Sequence, residues 1–201
     1  MAAYIAFEGG EGSGKSTQAA RLGAALDAVV TREPGGTPLG GALRGLLLDA
    51  DSYQVGPRAE ALMMAADRAQ HLQDVVLPAL SAGRHVVSDR SAFSSLAYQG
   101  AGRELGIDAV KAVNEWAVYG RWPDLVVYLR VDRSVASSRL RRSLDRFEQE
   151  GDGFHTRVHD AFDRMAAEDP ERWLIVDGDG SVDEVADRIL AAVEQALGRL
   201  G

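Results

Sequence analysis

The sequence predicts a three-layer α/β/α sandwich around a five-stranded parallel sheet. Three observations carry this expectation. Five short apolar runs alternate with longer segments of helical spacing, which implies parallel strands joined by helical crossovers. The runs are almost continuously apolar, as strands covered on both faces must be. No internal repeat, low-complexity tract or linker interrupts the 201 residues, so one domain is expected.

The first strand is Tyr4-Ile5-Ala6-Phe7-Glu8, followed at once by glycines. A helix is expected from about Gly14 through Leu22 and Leu26. Val29-Val30-Thr31 forms a second short strand, and Glu33-Pro34-Gly35-Gly36-Thr37 is a turn. Residues 38–49 read as a helix with Leu39, Leu43, Leu46 and Leu47 on one face. A long helix spans 57–81, with Pro57 suited to its first turn. His85-Val86-Val87-Ser88 is the third strand and ends at Asp89. Helical spacing returns over 106–119, and Leu125-Val126-Val127-Tyr128-Leu129 is the fourth strand. Helices are expected over 133–143 and 154–167. Trp173-Leu174-Ile175-Val176 is the fifth strand, and a helix over 181–198 follows.

The bulk numbers narrow the function. Hydrophobic residues are 46% and charged residues 26%, ordinary for a soluble domain. The net charge of −8 argues against a broad nucleic-acid footprint. With no cysteine, neither disulfides nor thiolate metal sites are possible. No apolar run approaches the roughly 18 residues of a membrane span. The first residues lack a basic stretch followed by an apolar one, so a secretory signal is not expected. A cytoplasmic protein is the expectation, with no nucleic-acid or membrane partner.

The run Gly9-Gly10-Glu11-Gly12-Ser13-Gly14-Lys15-Ser16 fits G-x-x-x-x-G-K-[ST] and lies between a strand and a helix. Its glycines let backbone N–H groups close around a phosphate, and the helix N-terminus adds partial positive charge. Lys15 is placed to reach the β- and γ-phosphates of a nucleoside triphosphate, and the Ser16 hydroxyl to ligate Mg²⁺. Thr17 extends this set of triphosphate-binding residues. Such a loop binds a nucleoside triphosphate but does not by itself name a reaction.

Asp89-Arg90 follows the third strand. Ligands of open α/β sheets lie beyond the carboxyl ends of strands, which gathers Asp89, Arg90, Glu33 and the phosphate loop around one crevice. Asp89 is a candidate Mg²⁺ ligand, and Arg90 a candidate for the accepting phosphate. The plainer alternatives are a helix cap and a surface ion pair. Further on, Arg130, Arg133, Arg139, Arg141, Arg142 and Arg146 cluster between strands four and five. Arg139, Arg142 and Arg146 would share a helical face. They suit a solvated helix paired with Glu148 and Glu150. They equally suit a lid, around 139–152, that neutralises a phosphoryl-transfer transition state and excludes water.

Several runs together resemble bacterial thymidylate kinases. They are Phe7-Glu8-Gly9, Thr31-Arg32-Glu33-Pro34-Gly35-Gly36-Thr37 and Leu43-Arg44-Gly45-Leu46-Leu47-Leu48. Ala66-Asp67-Arg68-Ala69-Gln70-His71, Asp89-Arg90 and Ser94-Ser95-Leu96-Ala97-Tyr98-Gln99-Gly100 follow. Pro123-Asp124-Leu125 and Asp145-Arg146-Phe147-Glu148-Gln149-Glu150 complete the set. The resemblance covers nearly the whole chain and implies the P-loop fold of nucleoside monophosphate kinases.

It also implies transfer of the γ-phosphate of ATP to dTMP, with Mg²⁺, in a homodimer. Arg44 and Arg90 would hold the dTMP phosphate. Arg68 would donate to thymine, and Ser95 and Gln99 would contact its polar edge. Glu11 would lie near the sugar hydroxyl or the lid, and Glu33 beside metal and phosphates. The phosphate loop lacks an arginine at its variable positions. In this family the lid then supplies it, here from Arg139, Arg141, Arg142 or Arg146, with Arg146 matching the Asp-Arg pair best. Two positions depart from the family. Met64 stands where an aromatic residue usually stacks on thymine. Ser91 stands where a bulky ring usually shapes the sugar pocket, a space that Phe93 or Tyr98 would then fill.

Other readings are a different nucleotide or deoxynucleoside kinase and a nucleotide-driven switch. Arg44 and Arg90 disfavour a nucleoside acceptor, and no N-K-x-D run is present to read guanine.

Overall fold

A computed structural model describes residues 2–48, 54–132, 135–136 and 146–200. Five strands form one parallel sheet: β1 (Tyr4–Glu8), β2 (Val29–Arg32), β3 (Val86–Asp89), β4 (Leu125–Arg130) and β5 (Trp173–Asp177). Their spatial order is β2-β3-β1-β4-β5. The expected five-stranded parallel sheet is therefore present, with the glycine-rich loop leaving its central strand.

Alternation along β1 assigns the two faces. Ile5 and Phe7 join Val87, Val127, Leu22, Ile189 and Val193 in one core cluster. The helices on that side are α1 (Lys15–Ala25) and the last helix, here α8 (Val182–Leu200). Within α1 the buried residues are Lys15, Gln18, Ala19, Leu22 and Gly23, the stripe of a helix lying on a sheet. On the opposite face, Val126 and Tyr128 meet Phe162, Phe154, Tyr98 and Trp173. Phe154 and Phe162 belong to α7 (Asp152–Glu168).

The remaining helices are α2 (Pro38–Leu48), α3 (Pro57–His71), α4 (Leu77–Ser81), α5 (Ala92–Ser95) and α6 (Ile107–Ala117). The long helix expected over 57–81 is continuous but not uniform, because Leu72–Val76 is π-helical between α3 and α4. The segment after β3 differs from expectation. Residues 92–102 form a helix that the spacing of apolar residues does not announce. It begins as α5 and widens into a π-helix over Leu96–Gly102.

The start of this helix is fixed from β1. Glu8 is fully buried, and its Oε1 accepts the backbone N–H groups of Ser91 and Ser94 at 2.9 and 3.1 Å. The Ser91 and Ser94 hydroxyls also donate to Glu8, and Ser91 Oγ caps Phe93 N at 3.3 Å. Unpaired N–H groups of a first helical turn are thereby satisfied. Burial pushes the Glu8 carboxyl up, against the opposing effect of Arg90 and the two serines.

The expected helix over 133–143 falls largely outside the described residues, as do Arg139, Arg141 and Arg142. Among the described residues, no helix is long and apolar enough to cross a membrane.

Candidate active site

Parallel register brings three loops to one edge. Phe7 pairs with Asp89 on one side and Val127 on the other, while Arg32 pairs with Asp89 across β3. The phosphate loop, the turn after Arg32 and the Asp89-Arg90 pair therefore leave the sheet at the same level. A single cavity opens there. Glu11, Gly12, Gly14, Lys15, Ser16 and Thr17 line one end, and Arg44, Met64, Arg68, Ser95, Tyr98 and Gln99 line the other. Asp89, Arg90 and Glu33 lie in its wall between them.

At the first end, Gly12 has φ +73°, and a Cβ there would stand 2.3 Å from the Ala136 carbonyl oxygen. Gly14, at φ +93°, caps α1 in the left-handed region that a side chain disfavours. Gly9, Gly10 and Ser13 do not line the cavity, and a Cβ at Gly9 would stand 2.7 Å from Leu129 O. Lys15 is buried and donates to Gly10 O at 2.7 Å and Ser13 Oγ at 3.2 Å. Burial first, and then Arg90, push its ammonium down to about 8.

Ser16 Oγ donates to Asp89 Oδ2, while Asp89 Oδ1 is buried without a hydrogen-bond partner. A hydroxyl beside an orphaned carboxylate oxygen is an all-oxygen donor set that suits Mg²⁺, which keeps its other positions for water and phosphate. Among the described residues there is no larger cluster of metal-ligating side chains.

Arg90 occupies the middle. Its φ of +75° lies in the left-handed region, a strained conformation for a non-glycine residue. The backbone is held there by Arg90 N donating to Phe7 O at 2.9 Å and by Ser88 Oγ donating to Arg90 O at 2.8 Å. The guanidinium donates to Ser94 Oγ and Tyr98 Oη at 3.0 and 3.1 Å, and to Glu11. It lies 4.8 Å from the centre of the Tyr98 ring. Tyr98 Oη donates in turn to Glu11 Oε1 at 3.1 Å. Glu11, Arg90 and Tyr98 thus form a closed polar set between the two ends of the cavity.

The far end is built on Arg68, which is only 2% exposed. Its Nε donates to Glu33 Oε2 at 2.7 Å. Nη1 donates to Ser95 Oγ at 3.1 Å and to Asn114 Oδ1, and Nη2 donates to Ser91 O at 3.0 Å. Four of five N–H groups are spent on the protein, leaving one on Nη2. His71 Nδ1 lies 2.8 Å from Glu33 Oε1. Burial raises the Glu33 carboxyl, but Arg68 and His71 together outweigh it and hold the group below its usual range.

A family model described as thymidylate kinase matches residues 7–189. The chain belongs to the thymidylate kinase family. Three similar curated proteins are named thymidylate kinase. The one from Leifsonia xyli subsp. xyli is 47% identical over 194 residues, 92% of this chain and 91% of its own. That from Halothermothrix orenii is 45% identical, covering 96% of this chain and 97% of its own. That from Bifidobacterium longum subsp. infantis is 43% identical, covering 96% and 87%.

Among residues assigned from the thymidylate kinase resemblance, Glu11, Arg44, Met64, Arg68, Arg90, Ser95, Tyr98 and Gln99 all line the one cavity. Ser91 does not. It is buried against Glu8, and Phe93 packs on Trp122 and Trp173 at centroid distances of 5.0 Å. Of Phe93 and Tyr98, it is Tyr98 that reaches the cavity wall.

Two placements differ from expectation. Glu33 was expected beside metal and phosphates, but both of its oxygens are taken, by Arg68 and His71. It anchors Arg68. Arg146 was expected to reach the phosphates, but it turns away. Its Nε donates to Leu47 O at 2.8 Å and its Nη1 to Val55 O at 3.2 Å. Phe147 and Glu148 line the cavity where Arg146 does not.

The residue reading also passed over Asn114, His71 and Glu60. His71 sits one turn after Arg68 on α3, so helical spacing is the signal that would have joined them. For Asn114 no local signal exists.

Proposed function

We infer that the protein transfers the γ-phosphate of ATP to dTMP, giving dTDP and ADP. The observation that carries this is the single cavity with a phosphate loop at one end and Arg68, Ser95 and Gln99 at the other. Membership of the thymidylate kinase family supports the same reaction. Lys15 and the loop N–H groups bind the β- and γ-phosphates. Arg90 and Arg44 take the dTMP phosphate. Its oxygen is anionic at neutral pH and needs no strong general base. Catalysis then rests on positioning and charge neutralisation. Ser16 and Asp89 are the residues that would hold Mg²⁺. When bound there, the ion would supply charge neutralisation to the phosphates as negative charge develops on them.

We further propose one kinase domain with a lid around 139–152, a cytoplasmic setting and a homodimer. Exposed Leu62 on α3, with Trp116 and Tyr119 on and beyond α6, supplies apolar surface for subunit contact. Sedimentation showing only monomer at micromolar concentration would remove the dimer.

A coupled ADP-release assay across dTMP, dUMP, dCMP, dAMP and thymidine tests the activity. Preference for dTMP is expected. Preference for another acceptor sinks the assignment, and ATP turnover without any acceptor dependence favours a switch.

Lys15 makes ATP binding pH-dependent. Its free-state value of about 8 lies below that expected beside a triphosphate, so the complex holds more protons than its parts. ATP affinity is therefore expected to be level below pH 8 and to fall with rising pH above it. Calorimetry at pH 8.5 in two buffers of different ionisation enthalpy should report proton uptake. Equal heats in both would contradict this.

A further inference from the structure

Glu60 lies in the first turn of α3, and its carboxylate is fully buried. A carboxylate is kept there only when paired and hydrogen-bonded. Arg103 Nε lies 3.3 and 3.2 Å from its two oxygens. Arg146 Nη2 lies 2.8 Å from Oε2, an ion-pair contact whose angles are too poor for a hydrogen bond. Arg103 also pairs with Glu150. The two arginines already balance Glu60 and Glu150.

A third donor reaches Glu60. Gln99 Nε2 donates to Glu60 Oε1 at 2.8 Å. Glutamine carries a donor end and an acceptor end of nearly equal shape, and its surroundings decide which way it turns. A carboxylate only accepts, so the end facing Glu60 must be the NH₂. The other end, Oε1, accepts no hydrogen bond from the described residues, yet Gln99 is 1% exposed and lines the cavity. Oε1 is not sealed among the protein's partnerless buried atoms but opens onto the cavity, where a ligand N–H can reach it.

We propose that Glu60 is a positioning residue for base selection. It locks the Gln99 amide with Oε1 toward the cavity, so the site takes a pyrimidine that carries an N3–H. A pyrimidine whose N3 is a bare lone pair meets a second acceptor and is turned away. The inference rests on reading this cavity as the dTMP site. It assigns Glu60, which has no place in the cavity wall, the task of choosing between 4-oxo and 4-amino bases.

The test compares dTMP with 5-methyl-dCMP, which keeps the methyl group, sugar and phosphate and changes only the 3,4 edge. Glu60→Gln offers Gln99 either an oxygen or an NH₂, so the Gln99 amide is free to turn over. The ratio of kcat/KM for dTMP over 5-methyl-dCMP is expected to fall about tenfold or more, carried by acceptor KM, with ATP KM unchanged. Arg68 still disfavours the 4-amino group, so the ratio falls without vanishing.

If Glu60 only anchors Arg103 and Arg146, both acceptors lose activity in proportion and the ratio stays. That result overturns the proposal. Should Glu60→Gln not fold, the double variant Glu60→Gln with Arg103→Met removes the buried charge together with its counter-charge. The same ratio is then read from it. A wild-type enzyme that does not prefer dTMP overturns the parent reading instead, which separates the two failures.

Discussion

Arg90→Ala is expected to lower kcat/KM for dTMP by about 10³-fold or more, the scale of losing a preorganised cation at a phosphoryl-transfer site. The ground for so large a loss is how much holds Arg90 in place. Its backbone is kept at φ +75° by bonds to Phe7 and Ser88, and its guanidinium by Ser94, Tyr98 and Glu11. Positioning is complete before substrate arrives, so little free energy is spent on ordering during the reaction. Arg90→Lys is expected to recover only a small part, since an ammonium cannot span Ser94, Tyr98 and Glu11 at once. Steady-state kinetics with dTMP and ATP varied in turn will check this. A loss of less than tenfold in kcat would remove Arg90 from the reacting phosphates.

Arg68→Ala should show a different pattern, with stability and acceptor binding failing together. Removing one member of a buried ion pair costs about 3–5 kcal/mol, because the partner is left charged and unpaired. Here the partner is Glu33, whose buried carboxyl would keep only His71. For a domain of this size that is a drop on the order of 10 °C in melting temperature. In the protein that remains folded, dTMP KM should rise at least tenfold while ATP KM changes little. Thermal melting and acceptor kinetics on the same sample separate the two effects. Equal loss of affinity for both nucleotides would take Arg68 out of the base pocket.

The donor end of the site was legible because its chemistry is contiguous. A strand, a glycine-rich loop, Lys15, Ser16 and the start of a helix follow one another along the chain. The strands were legible for a similar reason, since a sheet covered on both faces requires apolar runs. Residues 92–102 were not legible as a helix. Their start depends on Glu8, more than 80 residues earlier, and their wide π turn lacks the 3.6-residue spacing that betrays a helix.

The contacts that Glu33 and Arg146 make were hidden for a related reason. A charged residue next to a phosphate-binding motif suggests contact with phosphate, and only packing reveals that it is engaged elsewhere. Arg146 is claimed by carbonyls near positions 47 and 55, almost a hundred residues before it. Glu60 carried no signal at all, because its partners at 99, 103 and 146 meet it only in the folded chain.

The central place of β1 sets a limit on how such an enzyme can change. The phosphate loop leaves β1 and the pair Asp89-Arg90 leaves β3, with Phe7 and Asp89 locked in register. A register can slip only in whole steps. The smallest step that keeps side chains on their own face is two residues, roughly 6.6 Å. The level at which these two loops leave the sheet is therefore gauged by a hydrogen-bond ladder. New acceptor preferences must come from exchanging side chains on α3 and the 96–102 turn, beyond the phosphate. The transfer geometry is inherited whole, whichever base it serves.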